Sequence, residues 1–169
     1  MPITTAPAPG RPASTSSRRP ADPTSSAGPS IAPPHSRDLL AGAARELLAA
    51  AAADDDAETR YAHAHLAALR AAAAMLAARA RPRSRRTARP ASAWVLLAEV
   101  APELVEWAAF FAAGAGKRAA AEAGLRGVVT EREADDLVRE VEAFLALVAR
   151  TLGVAHQPLL GTPGVACAS

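Results

Sequence analysis

TEREADDLVREVEAFLALVARTLG, residues 130–153, reads as one amphipathic helix with both ends marked. Thr130 followed three residues later by Glu133 is a capping box, in which a hydroxyl and a carboxylate satisfy amides left open by the first turn. Gly153 stands where a helix closes in left-handed backbone. Between them Leu137, Val141, Phe144, Val148 and Thr151 keep a 4-3-4-3 spacing, flanked by Val138, Leu145 and Leu152. That pattern lays one apolar stripe along the helix, and the stripe needs other helices to cover it.

Working back along the chain, the same reasoning finds those partners. Ser92 is placed to cap a helix carrying Trp94, Leu97 and Val100. Pro102 removes an amide and kinks or restarts the chain. Leu104, Trp107, Phe110 and Phe111 continue an apolar face that is expected to fade through Gly114, Gly116 and Gly124. A further helix is predicted from Ala57 to Arg79, with Tyr61, His65, Leu69, Ala72 and Leu76 on one face. Asp55 and Glu58 read as its capping box. The first helix is predicted from Arg37 to Ala53, capped by Ser36, with Leu39, Leu40, Ala43, Leu47 and Leu48 on its stripe.

No segment alternates with a period of two. The expectation is an all-α, up-and-down bundle of four to five helices over residues 36–153, five if Pro102 divides the third. Trp94, Trp107, Phe110, Phe111 and Phe144 are expected in its core, and any left exposed would mark a dimer or partner surface. Residues 1–35 are rich in Pro, Ser, Thr and Ala, which predicts a disordered N-terminal tail. Residues 154–169 are read as a flexible C-terminal tail.

Composition narrows the function classes. Half of the 169 residues are apolar but only 4% are aromatic, so alanine dominates and helices are expected to pack closely. The one cysteine, Cys167, has no partner for an internal disulfide and no metal-site spacing. No secretory signal opens the chain, and Glu99, Glu103 and Glu106 interrupt its longest apolar stretch. The expected location is cytoplasmic, away from membranes. No glycine-rich phosphate loop occurs, and His63 and His65 lie about 160° apart on a helical wheel. Neither a metal nor a cofactor is expected.

Charge is unevenly spread. Arg79, Arg81, Arg83, Arg85, Arg86 and Arg89 occur with no acid among them, in a segment spanning 79–90. The rest of 36–153 holds ten basic residues against sixteen acidic ones. A basic segment on an acidic bundle can contact a nucleic-acid backbone through charge alone. Arg81, Arg83, Arg85, Arg86 and Arg89 are the candidates. The alternative is a solvated loop, or one that docks on an acidic partner subunit.

The segment RYAHAHLAALRAAA at 60–73 resembles the HEPN superfamily, the higher eukaryote and prokaryote nucleotide-binding domains. So do SAWVLLA at 92–98, APELVEWAAFFAAG at 101–114 and EADDLVR at 133–139. A small actinobacterial branch is the nearest match, over roughly residues 38–153. The resemblance implies a bundle of four to five helices, often dimeric. In active members, an Arg and a His spaced R-x4–6-H form a metal-independent ribonuclease site, usually on a later helix. There the guanidinium grips the scissile phosphate and the imidazole moves a proton of the RNA 2′-OH. Arg60 and His65 have that spacing, as do Arg150 and His156.

His65 also lies on the apolar face between Tyr61 and Leu69, the place of a packed residue. Arg60, His63 and Arg70 cluster on the wetter side as another possible anion site. The reading is therefore a HEPN-like module that binds RNA, a nucleotide or another protein without catalysis. Its alternatives are a metal-independent endoribonuclease using Arg60 and His65, and a purely structural module, possibly a homodimer.

Overall fold

The computed structural model describes residues 32–53, 56–79 and 91–158. Five α-helices follow in order: α1 (Pro34–Ala52), α2 (Ala57–Arg79), α3 (Ala93–Val100), α4 (Val105–Glu122) and α5 (Glu131–Thr151). A 3-10 turn, Pro102–Leu104, joins α3 to α4, as the missing amide of Pro102 requires. No strand occurs among the described residues. The fold is the expected all-α, up-and-down bundle. None of its helices is long and apolar enough to cross a membrane.

The centre of the bundle is α2, against which α1, α3, α4 and α5 all pack. Tyr61 meets Gly114 and Arg79 meets Glu103, so α4 runs antiparallel to α2. Arg60, at the start of α2, meets Glu131 at the start of α5, so those two run parallel. Sequence periodicity gives α2 one face through Leu69 and Leu76, yet both are only half-buried. Tyr61, His65 and Ala72 of that face are buried, and so are Ala64, Ala67, Ala68, Ala71, Ala74 and Met75 beyond it. A helix covered on several sides has no single stripe, and methyl groups let its neighbours come close.

The ends differ in instructive ways. α5 begins with the Thr130–Glu133 capping box and is followed by Gly153 at φ 65°. Ser92 accepts from the Val95 amide at 3.3 Å and caps α3. α1 starts earlier than expected, with Pro34 in its first turn, because proline suits that position. Ser36 is then inside the helix and fully buried rather than capping it. Asp55 lies outside the described residues. The next residue, Asp56, accepts from the Thr59 amide at 3.0 Å and hydroxyl at 2.9 Å at the start of α2.

α4 does not fade at Gly114 and Gly116 but continues to Glu122, and the chain turns at Gly124 with φ 77°. Gly114 is needed for closeness rather than flexibility. A Cβ there would lie 2.6 Å from the Tyr61 hydroxyl, whereas one at Gly116 would meet nothing within 4 Å. Gly116→Ala should therefore stabilise the protein by about 0.5–1 kcal/mol in urea denaturation. Gly114→Ala should show no such gain until Tyr61→Phe removes the opposing hydroxyl. Equal gains at the two glycines would refute this account of the α2–α4 contact.

Candidate functional site

α4 and α5 both rest on α2, and large side chains hold them apart. Trp107 and Phe111 of α4 meet Phe144 of α5 with ring centroids 5.4 and 5.1 Å apart, filling one end of the space between the helices. Toward the start of α5 the space opens into a cleft of about 310 Å³. Tyr61, His65 and Phe111 line it together with Ala113, Gly114 and Leu137, while Phe110, Lys117, Glu133 and Asp136 bring a ring and three charges. Lys117 and Glu133 form an ion pair between α4 and α5. Hydrogen bonding to Lys117, aided by the Thr130 amide, lowers the Glu133 pKa to about 2. Asp136 pairs with Arg139 along its own helix. A mostly apolar hollow with a few convergent polar groups suits a binding role.

His65 is 1% exposed and belongs to the wall beneath this cleft. Its Nε2 lies 2.9 Å from the Phe111 carbonyl, which can only accept, so Nε2 carries the hydrogen. The other nitrogen, Nδ1, is buried without a hydrogen-bond partner. Burial lowers the His65 pKa, and the Phe111 bond offsets this only in part. The ring is packed edge-on by Trp94 and Phe111 at 5.7 and 6.1 Å. Tyr61 beside it has a pKa raised by burial.

Arg60 is also buried, but its partners are different. Its Nε donates to the Ala53 carbonyl at 3.1 Å, and Nη1 donates to Glu131 at 2.9 Å and Asp135 at 2.7 Å. Burial works against its charge, and the two carboxylates outweigh that effect, so its pKa is raised. Arg60 thus ties the end of α1 and the start of α2 to the start of α5. The phosphate-gripping fork and the imidazole are engaged by different parts of the bundle.

The cluster of Arg60, His63 and Arg70 does not assemble. His63 and Arg70 both reach Glu46 of α1, at 2.9 and 3.0 Å, so a carboxylate of the chain occupies the place of an anion. Phe110, expected in the core, is 48% exposed. Phe110 and Phe111 are about 100° apart on the helix, and Phe111 takes the inward position. Among the described residues no group of three or more His, Cys, Asp or Glu is arranged to hold a metal ion. Arg81, Arg83, Arg85, Arg86 and Arg89, and Cys167, lie outside the described residues. Nothing in the sequence singles out the cleft residues Lys117 and Asp136. Only the capping role of Glu133 signalled anything about its position.

The described residues form the all-α bundle that the resemblance implies. The family model for SAV_6107-like HEPN domains matches residues 50–149, from the end of α1 nearly to the end of α5, and the chain belongs to that family. No curated protein and no solved structure matches it.

Two measurements test the roles given to Arg60 and His65. Arg60→Ala should cost about 1–2 kcal/mol in denaturant unfolding, less than a wholly buried pair, because Glu131 and Asp135 can rehydrate. A loss below the error of the method would remove the clamp. For His65 the folded pKa is depressed, so the unfolded chain binds the proton first as pH falls. Its contribution to stability is complete above about pH 6.5 and declines below it. Melting curves from neutral to acidic pH should show a shallower decline in His65→Gln than in wild type; identical slopes would contradict the assignment.

Proposed function

We propose that the chain is a non-catalytic binding module of the HEPN fold, whose α4/α5 cleft receives a protein partner. One observation carries this reading: Arg60 and His65 are both committed to the bundle, while the cleft presents an apolar hollow and polar groups to solvent. A ribonuclease of the R-x4–6-H kind needs a fork that can grip phosphate and an imidazole that exchanges protons near neutral pH. Arg60 already holds two carboxylates, and burial favours the neutral ring of His65. The cleft also brings Glu133 and Asp136 against one cation, Lys117, a balance that repels a phosphate backbone.

A second reading, RNA binding, rests on the basic segment rather than the cleft. Arg81, Arg83, Arg85, Arg86 and Arg89 supply charge that would follow a nucleic-acid backbone without reading its sequence.

Labelled single-stranded RNA incubated with the full chain in EDTA should stay intact. Its binding at low salt should weaken several-fold when Arg81, Arg83, Arg85 and Arg86 are changed to alanine, and stay unchanged in Lys117→Ala. Absence of binding at low salt removes the RNA reading and leaves the protein-binding one. Cleavage that disappears in a folded His65→Ala variant would overturn the non-catalytic reading.

A further inference from the structure

The edges of the cleft differ in character from its apolar floor. On α4 the edge runs through Glu106, Phe110, Ala113 and Lys117, at spacings of four, three and four, and all are exposed. On α5 it runs through Glu133, Asp136 and Glu140, at spacings of three and four. Since α4 is antiparallel to α2 and α5 is parallel to it, α4 and α5 are antiparallel to each other. The Lys117–Glu133 pair therefore bridges one end of the cleft, and Phe110, 48% exposed, stands two turns further along α4. Glu106, Glu133, Asp136 and Glu140 thus set four carboxylates along the edges against the single ammonium of Lys117, which Glu133 already engages. Asp136 pairs with Arg139 of its own helix, but both side chains are more than half exposed. A pair so open to water yields readily to a better placed cation. The hollow itself, about 310 Å³, is at the small end of ligand sites and suits one or two side chains.

We propose that the cleft recognises a basic, apolar segment of a partner protein, an arginine next to an aliphatic residue. The aliphatic side chain sits on Tyr61, Phe111 and Leu137, and the guanidinium is held at the rim by Phe110 and Asp136. The inference rests on the binding-module reading and names the chemistry of its partner. Arginine fits this rim better than lysine, because its planar head stacks on a ring, gives up water more easily and forks onto a carboxylate. Its methylene stem covers apolar wall while the head stays at the edge of the solvent. An acidic segment in the same place would set like charges against both edges of the cleft.

Peptide titrations of the isotopically labelled full chain, followed by amide chemical shifts, test this. The probe is acetyl-Leu-Arg-amide, and its citrulline counterpart supplies the same shape without the charge. The arginine peptide should shift the amides of Phe110, Gly114, Lys117 and Leu137 to saturation, and the citrulline peptide should bind at least about fivefold more weakly. Asp136→Asn should weaken the arginine peptide several-fold at low ionic strength and leave the citrulline peptide unchanged. Lys117→Ala should act in the opposite direction and tighten the arginine peptide, because it removes the competing cation and frees Glu133. Both substitutions are at exposed positions, so circular dichroism spectra should match wild type. Equal affinity for the two peptides, or weaker arginine binding in Lys117→Ala, would overturn the arginine assignment and leave a cleft that takes apolar protein segments. A preference for acetyl-Leu-Glu-amide would overturn it in favour of an acidic partner. Shifts with none of the peptides would overturn the proposal outright. Failure of the non-catalytic reading is seen in a separate assay, RNA cleavage in EDTA, so the two fail independently.

Discussion

The bundle depends on one packing constraint, that α2 is enclosed by the other four helices. Only a helix surfaced with alanine can be enclosed in this way at short distance, and α2 buries Ala64, Ala67, Ala68, Ala71, Ala72 and Ala74. Its few larger side chains must then find specific room. Tyr61 uses the space left by Gly114, and His65 takes the Phe111 carbonyl as a partner. Arg60 reaches the ends of two other helices. Each of these contacts follows from the crowding around α2, and together they account for the motif residues before any chemistry is invoked.

The cleft has the same origin. Phe144 stands between α5 and α4, where Trp107 and Phe111 meet it, so the two helices are spaced by rings rather than by methyl groups. Where the rings end, the space between the helices stays open, and the Lys117–Glu133 pair reaches across it. A chain of the SAV_6107-like HEPN family thus has its R-x4-H residues inside the packed scaffold and its accessible hollow immediately beside them. Of the two, only His65 borders the hollow, as part of its wall, while Arg60 is held at the helix ends.

The sequence was most legible where one side chain decides one local event. Thr130, Glu133 and Gly153 define both ends of α5, and Leu137, Val141, Phe144 and Val148 are buried as their spacing requires. It was less legible in α2, because alanine fits any face: Tyr61, His65 and Ala72 of the expected face are buried, but its two leucines only in part, and alanines on other faces are buried as well. Adjacent Phe110 and Phe111 look equivalent in sequence, and only tertiary packing decides which points inward. Gly114 resembles a helix terminator until Tyr61 is placed against it. The cleft could not be read at all, since it is a gap between α4 and α5 set by the size of rings from both. Its charged residues lie 16 positions apart in Lys117 and Glu133, with nothing local to connect them.

Tyr61 and Lys117, which line this cleft, are also the chain's only tyrosine and only lysine. The protein therefore carries a single phenol and a single side-chain amine, both at the same place. Its ultraviolet phenolate band is the signal of one buried wall, and amine-selective labelling of side chains can mark only the opposite edge. A composition skewed so strongly toward arginine and alanine has thus left two side-chain chemistries that occur once in the chain side by side at this hollow.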